Sequence, residues 1–142
     1  MKCLILGAGG QVGRALQAVA PPGTQVLAPP RSLCDITDPS QLREWIGGQN
    51  PAVVFNAAAY TAVDAAETDE AQTQRVNAQS VGHAAALCGQ AGARFVHIST
   101  DFVFDGSASL PYAEDAVPNP LSAYGRSKYQ GEQLAMEQNP AT

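Results

Sequence analysis

The sequence is poor in charge, and in basic charge above all. Only 15% of its 142 residues are charged, and 13 acidic residues outnumber eight lysines and arginines, for a formal net charge of -5. Nucleic-acid backbones and anionic membranes select basic surfaces, so neither is expected as a partner. The low charge combined with 45% hydrophobic residues excludes a disordered chain. The charge does not exclude a phosphorylated small molecule as a ligand, because backbone amides bind phosphate without a basic patch.

Cysteines are few, and long hydrophobic runs are lacking. Cys3, Cys34 and Cys88 are scattered, odd in number and without CxxC spacing, which predicts reduced thiols in a cytoplasmic protein. The N-terminal apolar run, Cys3 to Leu6, is too short for a signal peptide or a membrane span. We therefore expect no membrane association.

Short apolar runs alternate with helical patterns along the chain. Strands are predicted at Lys2–Leu6, Gln25–Ala28, Ala52–Phe55 and residues 93–99, and helices at Gln11–Ala20, Pro39–Gly47, Thr68–Cys88 and Ser122–Glu137. This order predicts the α/β class, with one doubly wound parallel sheet in a single domain over residues 1–142. Ligands of such sheets bind outside the carboxyl ends of the strands.

A glycine triplet lies directly after the first predicted strand. Gly7, Gly10 and Gly13 have GxxGxxG spacing and open the first helix. Glycines at such positions allow a tight turn, a close approach of a pyrophosphate, and packing of the helix on the sheet, while the helix amides face the phosphates. The placement predicts a nucleotide site, although glycine triplets also occur in ordinary turns.

The segment after the second strand bears on which dinucleotide binds. It reads "VLAPPRS" and lacks the acidic residue that usually holds the ribose 2′-hydroxyl of NAD. Arg31 follows closely, and a cation there suits the 2′-phosphate of NADP. A plain surface arginine is the alternative, so NADP(H) is favoured with NADH as the other candidate.

Tyr124 and Lys128 are four residues apart, which puts them on one face of the last helix. An ammonium beside a phenol favours the phenolate and lowers the pKa of the tyrosine, so that the phenol can exchange protons near neutrality. The alternative is an exposed helix face with no chemical role.

The segment "ISTDFVFDG" ends the fourth strand in polar residues before turning apolar again. The Thr100 hydroxyl could bond a substrate oxygen that Tyr124 protonates, with Phe102, Val103 and Phe104 as the walls of a pocket. A local turn closed by side-chain bonds from Ser99, Thr100 and Asp101 to the backbone is the alternative.

Together these motifs resemble the extended short-chain dehydrogenases/reductases. Within that group, "DITD", "NAAAYTAVDAAE", "VNAQSVGHAA", "HISTDFVFDG" and "PYAEDAVPNPLSAYGRSK" resemble the dTDP-4-dehydrorhamnose reductases nearly end to end. The resemblance implies a Rossmann-like fold and reduction of the 4-keto group of dTDP-4-dehydro-L-rhamnose, a nucleotide sugar, by NADPH or NADH. The resemblance argues against assignment as a sugar-nucleotide epimerase, because that class usually carries another segment in place of "STDFVFDG".

The resemblance also implies roles for individual residues. Tyr124 would donate the proton, Lys128 would lower its pKa and hold the nicotinamide ribose, and Thr100 would orient the carbonyl. The substrate-binding set is Thr100, Asp101, Phe102 and Val103. The cofactor-binding set is Gly7, Gly10, Gln11, Val12, Gly13, Arg31, Asp35, Ile36, Ala58, Ala59, Tyr60, Tyr124 and Lys128.

Two departures from the family pattern lead to further expectations. Some members bridge a dimer through magnesium held by a glutamate of the first helix, but Ala15 stands there, and His83 and His97 are far apart, so no metal site is predicted. A homodimer is the expected assembly. The C-terminal substrate domain of the family is lacking, which predicts a truncated or short form. The alternative to an active reductase is a non-catalytic NAD(P)-binding regulatory module or an inactive fragment.

Overall fold

The computed structural model describes residues 1–140 and 142, with a parallel sheet at the centre. Strands β1 (Lys2–Leu6), β2 (Gln25–Leu27), β3 (Val53–Asn56) and β4 (Arg94–His97) lie in the order β2-β1-β3-β4. Leu4 pairs with Leu27 on one side and with Val54 on the other, and Val54 pairs in turn with Phe95. The chain reverses its direction of strand addition between β1 and β3, so their carboxyl ends form the switch point where a ligand crevice is expected.

In residues 1–140 and 142, six helices connect and cover these strands. Their bounds are α1 Gln11–Ala18, α2 Pro39–Arg43, α3 Val63–Ala66, α4 Glu70–Gln74, α5 Ser80–Ala91 and α6 Ala123–Gln138. A π-helical turn at Glu44–Gly48 extends α2, a second at Arg75–Gln79 joins α4 to α5, and a 3-10 turn spans Asp101–Val103. None of the helices in residues 1–140 and 142 combines the length and the apolar character that a membrane crossing requires.

Alternate residues of β1 point to opposite layers. Leu4 and Leu6 join the larger core, which α2, α5 and α6 close with residues such as Leu42 and Val81. Cys3 and Ile5 join a smaller core with Leu16 of α1. Helices thus cover both faces of a parallel sheet, which confirms the doubly wound, Rossmann-like fold.

The predicted helix Thr68–Cys88 differs most from the structure. It is three consecutive pieces that begin at Glu70 and run to Ala91, where Gly92 adopts a left-handed φ of +66° and its N–H bonds the Cys88 carbonyl. Helix α3 was not predicted, because four residues are too few for a periodic pattern.

Two side chains cap the start of α6. The Ser122 side chain accepts a hydrogen bond from the Gly125 N–H at 3.0 Å. The Glu67 carboxylate accepts the Ala123 N–H at 2.7 Å and so satisfies a second amide at this helix end. These bonds fix the turn that carries Tyr124.

Candidate active site

The glycine loop lets three backbone segments meet at the carboxyl end of β1. Gly7 has φ +76°, and a Cβ there would lie 2.6 Å from the Ala58 nitrogen. A Cβ on Gly13 would lie 2.4 Å from the Gly7 carbonyl oxygen. Both positions therefore require glycine for close packing of α1 and of the segment after β3.

The start of α1 is built to receive a polar group. Gly10 is its N-cap in extended conformation, and within the described part of the chain no side chain caps it. The first-turn amides of Gln11 and Val12 are therefore left for water or for an anion, which the helix dipole favours.

A cleft of about 260 Å³ opens beside this loop. Eight residues of the predicted cofactor set line it: Gly7, Gly10, Arg31, Asp35, Ile36, Ala58, Ala59 and Tyr60. Gln11, Val12 and Gly13 adjoin it at the start of α1, and Tyr124 and Lys128 do not line it. Five lining residues were not predicted: Cys34, Thr37, Ala57, Gln72 and Val76. The i, i+4 spacing of Gln72 and Val76 was the available signal for two of them.

Arg31 and Asp35 form an ion pair at the rim of the cleft. The Arg31 Nε donates to Asp35 Oδ2 at 2.9 Å, while the Thr37 amide and hydroxyl both donate to Oδ1 at 2.8 Å. Burial raises the pKa of Asp35, but the hydrogen bonds from Thr37 and Arg31 outweigh it and lower that pKa overall. The carboxylate therefore stays charged and holds Arg31 at the cleft.

Cys34 lines the cleft without being a reactive thiol. Burial first, and then the nearby carboxylates of Asp35, Asp38 and Glu44, raise its pKa to about 11. The thiolate is the nucleophilic form, so at neutral pH Cys34 acts as a small apolar wall.

Asn77 connects the cleft to α6. Its Oδ1 accepts the Tyr60 N–H at 2.8 Å, and its Nδ2 donates to the Tyr60 carbonyl at 3.0 Å and to Ser127 Oγ at 3.1 Å. Asn77 itself is 1% exposed. Asn77 thereby fixes Tyr60 in position against α6.

Tyr124 lies between the cleft and the loop that follows β4. It forms a small core with Ala66 and Ala123, against which Tyr60 packs. On the other side the Phe102 ring meets the Tyr124 ring edge to face, with centroids 5.6 Å apart and planes at 77°. Tyr124 therefore packs close to a residue of each region in which a cofactor and a substrate are predicted.

Lys128 is buried on the same face of α6, with 1% exposure. Its Nζ donates to the Ile98 carbonyl at 2.5 Å and lies 3.2 Å from His97 Nε2. Burial lowers the pKa of Lys128 to about 8, although Glu132 acts in the opposite sense. The alternative of an exposed helix face is thereby wrong for Lys128.

The Thr100 hydroxyl is engaged in a local turn. It accepts the Phe102 N–H at 3.2 Å and donates to Asp101 Oδ1 at 3.2 Å. Phe102 is half-exposed, whereas Val103 is buried beneath the turn. Asp101 and Phe102 line a second, more open cleft of about 410 Å³, and Thr100 and Val103 do not.

Asp105 organises the loop that borders this second cleft. Its carboxylate accepts hydrogen bonds from Ser107, from the Tyr112 hydroxyl at 2.7 Å and from Asn119 at 3.0 Å. The Phe104 and Tyr112 rings stack at 4.3 Å. Sequence reasoning missed this arrangement, because its members are spread over residues 104–119 without a period. No group of three histidine, cysteine, aspartate or glutamate residues suited to a metal ion occurs in residues 1–140 and 142.

Comparison with known proteins agrees with this architecture. The family model described as "RmlD substrate binding domain" matches residues 1–142. The dTDP-4-dehydrorhamnose reductase of Burkholderia thailandensis is 46% identical over 137 residues, which are 96% of this chain and 46% of that protein.

Two solved structures superpose closely. The dTDP-4-dehydrorhamnose reductase of Clostridium acetobutylicum has a TM-score of 0.94 and 39% identity over 99% of this chain and 50% of its own. The Bacillus anthracis enzyme, solved in complex with NADP, has a TM-score of 0.94 and 36% identity over 97% of this chain and 50% of its own. This chain spans about half the length of the relatives it matches. The chain therefore belongs to the RmlD family, whose matched members include dTDP-4-dehydrorhamnose reductases.

Proposed function

We propose that the chain carries the cofactor-binding and proton-donating half of an NADPH-dependent reductase, which reduces the 4-keto group of dTDP-4-dehydro-L-rhamnose to dTDP-L-rhamnose. Its family membership supports the reaction class, and relatives with that name include one solved with NADP. The observation that carries the proposal is the position of Tyr124: its ring meets that of Phe102 of the second cleft, and Tyr60 of the first cleft packs against the small core to which Tyr124 belongs.

The lining of the first cleft suits a dinucleotide. A pyrophosphate needs close approach to backbone and free amides, and the loop at Gly7 and Gly13 with the uncapped start of α1 offers both. Ile36 and Ala58 offer apolar wall for an adenine or a nicotinamide. When bound, the nicotinamide supplies the hydride.

The side chains of this chain would supply the proton and the orientation. Tyr124 donates its phenolic proton to the carbonyl oxygen as the hydride reaches the carbonyl carbon. Lys128, one turn further along α6, holds the nicotinamide ribose in this proposal. The second cleft, bordered by Asp101 and Phe102, takes the sugar, and Thr100 orients the carbonyl once its hydroxyl leaves the local turn.

Arg31 favours NADPH over NADH in this proposal. Its Nε is bound to Asp35, which leaves the terminal guanidinium nitrogens for a 2′-phosphate. The neighbouring carboxylate reduces the net positive charge of the rim, so we expect a moderate preference and not an exclusive one.

The test combines a binding titration with a turnover assay. NADPH is titrated into the purified chain by calorimetry, and dTDP-4-dehydro-L-rhamnose is then added while NADPH absorbance is followed. Y124F is expected to lose turnover by about 10²- to 10⁴-fold and to bind NADPH as the parent does. Y129F, a change of the same type five residues along α6, is expected to keep both.

Each outcome of this test has a definite meaning. Failure of the parent chain to bind NADPH overturns the cofactor assignment. NADPH binding without turnover overturns the reductase activity for this chain and favours a non-catalytic NAD(P)-binding module. Full turnover in Y124F removes the tyrosine from the proton step.

A further inference from the structure

A continuous line of hydrogen bonds runs from the segment after β3 to Lys128. The Ala58 N–H donates to Asn56 Oδ1 at 3.1 Å, and Asn56 Nδ2 lies 3.0 Å from His97 Nδ1. His97 Nε2 lies 3.2 Å from Lys128 Nζ, which donates to the Ile98 carbonyl. Asn56 is fully buried, so each of its polar atoms needs the partner that it has here.

The direction of each hydrogen bond in this series follows from the Ala58 N–H, with which the series begins. A backbone N–H can only donate, so the atom of Asn56 that faces Ala58 is the oxygen and the amide nitrogen faces His97. That nitrogen also only donates, which leaves His97 Nδ1 unprotonated. A neutral imidazole in this position then carries its proton on Nε2 and points it at Lys128 Nζ.

An Nε2–H can bond to Lys128 only if the amine offers a lone pair. With an uncharged Lys128, every hydrogen bond in the series can form, because the amine accepts from His97 and donates to the Ile98 carbonyl. A charged Lys128 places two N–H groups against each other, and either the bond to His97 or that between Asn56 and His97 is lost. The arrangement therefore makes Lys128 a stronger acid than burial alone would.

We propose that His97 is a positioning residue which acts through Lys128: Asn56 holds the imidazole as the Nε2–H tautomer, and this tautomer favours the uncharged amine. The catalytic consequence rests on the proposed function. Once Tyr124 has given its proton to the carbonyl oxygen, an ammonium N–H bond of Lys128 breaks and its proton restores the phenol. Lys128 is then uncharged, which is the state that His97 stabilises, and solvent reprotonates it.

The surroundings keep the imidazole neutral. Burial, and after it the charge of Lys128, lower the pKa of His97 to about 3. Glu132 of α6 is the charged neighbour that opposes the effect on Lys128, and its carboxylate accepts a hydrogen bond from the Ser99 hydroxyl. The Phe95 ring lies parallel to the imidazole at 6.3 Å and adds no charge.

The composition of the chain makes this inference directly measurable. It contains two histidines, His83 and His97, and two lysines, Lys2 and Lys128, so nuclear magnetic resonance gives two signals of each kind. Long-range proton–nitrogen spectra of the full chain at pH 7, with no ligand added, report the tautomer of each imidazole. We expect an unprotonated Nδ1 and a protonated Nε2 at His97, with the exposed His83 as the internal reference. A protonated Nδ1 at His97 overturns the proposal.

The N56D variant reverses the direction of the hydrogen bond between residue 56 and His97, and it supplies the second test. A carboxylate at this position accepts from Ala58 and from His97, so the proton should move to Nδ1 and Nε2 should accept from the Lys128 ammonium. We expect the Lys128 titration midpoint to rise by about one pH unit, with Lys2 as the reference signal. A rise in that midpoint without a change of tautomer would show charge acting alone and overturn the proposal. If N56D does not fold, the parent spectrum decides.

The catalytic part has its own readout. Where the reductase assay is active, the pH profile of kcat in N56D should shift with the Lys128 midpoint while KM for NADPH stays the same. An unshifted profile overturns the role in proton return. An inactive parent chain overturns the proposed function instead, and the tautomer measurement stands apart from both because it needs neither cofactor nor substrate.

Discussion

Replacement of Asn77 by alanine is expected to destabilise the fold and to weaken the cofactor cleft together. The change removes three hydrogen bonds, of 2.8, 3.0 and 3.1 Å, from a residue that is 1% exposed. It leaves the Tyr60 amide and carbonyl without partners, whereas Ser127 Oγ keeps its bond to the Tyr124 carbonyl. Each orphaned buried group costs about 1–3 kcal/mol, and Tyr60 is partly open to water, so we expect a loss of about 2–4 kcal/mol.

Urea denaturation measures the free energy of unfolding, and calorimetry measures NADPH affinity under conditions in which each variant is folded. The matched control is Q79A in the same helical turn, because Gln79 is exposed. N77A should lower the urea midpoint and reduce NADPH affinity, since Tyr60 is no longer fixed, while Q79A should change neither by more than about 0.5 kcal/mol. If N77A behaves as Q79A does, Asn77 does not hold the cleft to α6, and the reasoning fails.

Three further predictions concern single positions. G13A should cost about 1–3 kcal/mol in unfolding free energy and weaken NADPH binding, because its Cβ would meet the Gly7 carbonyl at 2.4 Å, whereas G9A, with open space, should do neither. R31A should reduce NADPH affinity about tenfold and leave NADH affinity unchanged, with R43A as the control; equal losses for both nucleotides would contradict a 2′-phosphate contact. The pKa of His97 is lowered to about 3 in the folded state, so the free energy of unfolding should fall as the pH drops from 6.5 towards 3, by no more than about 1.4 kcal/mol per pH unit. H97F should lack this pH dependence of the unfolding free energy between pH 6 and 4.

The layers of the fold were predictable because local pattern and tertiary role agree there. Strand β1 is a continuous apolar run followed directly by a glycine. In a chain where strand and helix patterns alternate, such a run indicates a buried strand of a parallel sheet. Agreement ends where packing overrides periodicity. The segment Thr68–Cys88 was predicted as one helix, yet it contains a π-helical turn that brings Asn77 onto Tyr60, and no periodic pattern marks that turn.

Most residues that line the first cleft could be predicted from the sequence, but the hydrogen bonds around Lys128 could not. Motif spacing predicted Gly7, Tyr124 and Lys128 as site residues, because the proposed chemistry requires those residue types at those places. The environment of Lys128 could not be derived in that way. His97 and Asn56 come from two strands, and their contact depends on the register in which Asn56 lies opposite His97.

Small residues of α6 are the physical cause of the lysine's burial. A Cβ on Gly125 would lie 2.3 Å from the Phe102 carbonyl oxygen, and one on Gly131 would lie 2.1 Å from that of Asn77. Helix α6 therefore approaches both segments at backbone distance, at a cost in helix propensity of about 1 kcal/mol for each glycine. That close approach removes Lys128 from water, and desolvation brings its pKa to about 8. A larger residue at either position would move α6 outwards, so the acidity of Lys128 depends on both glycines.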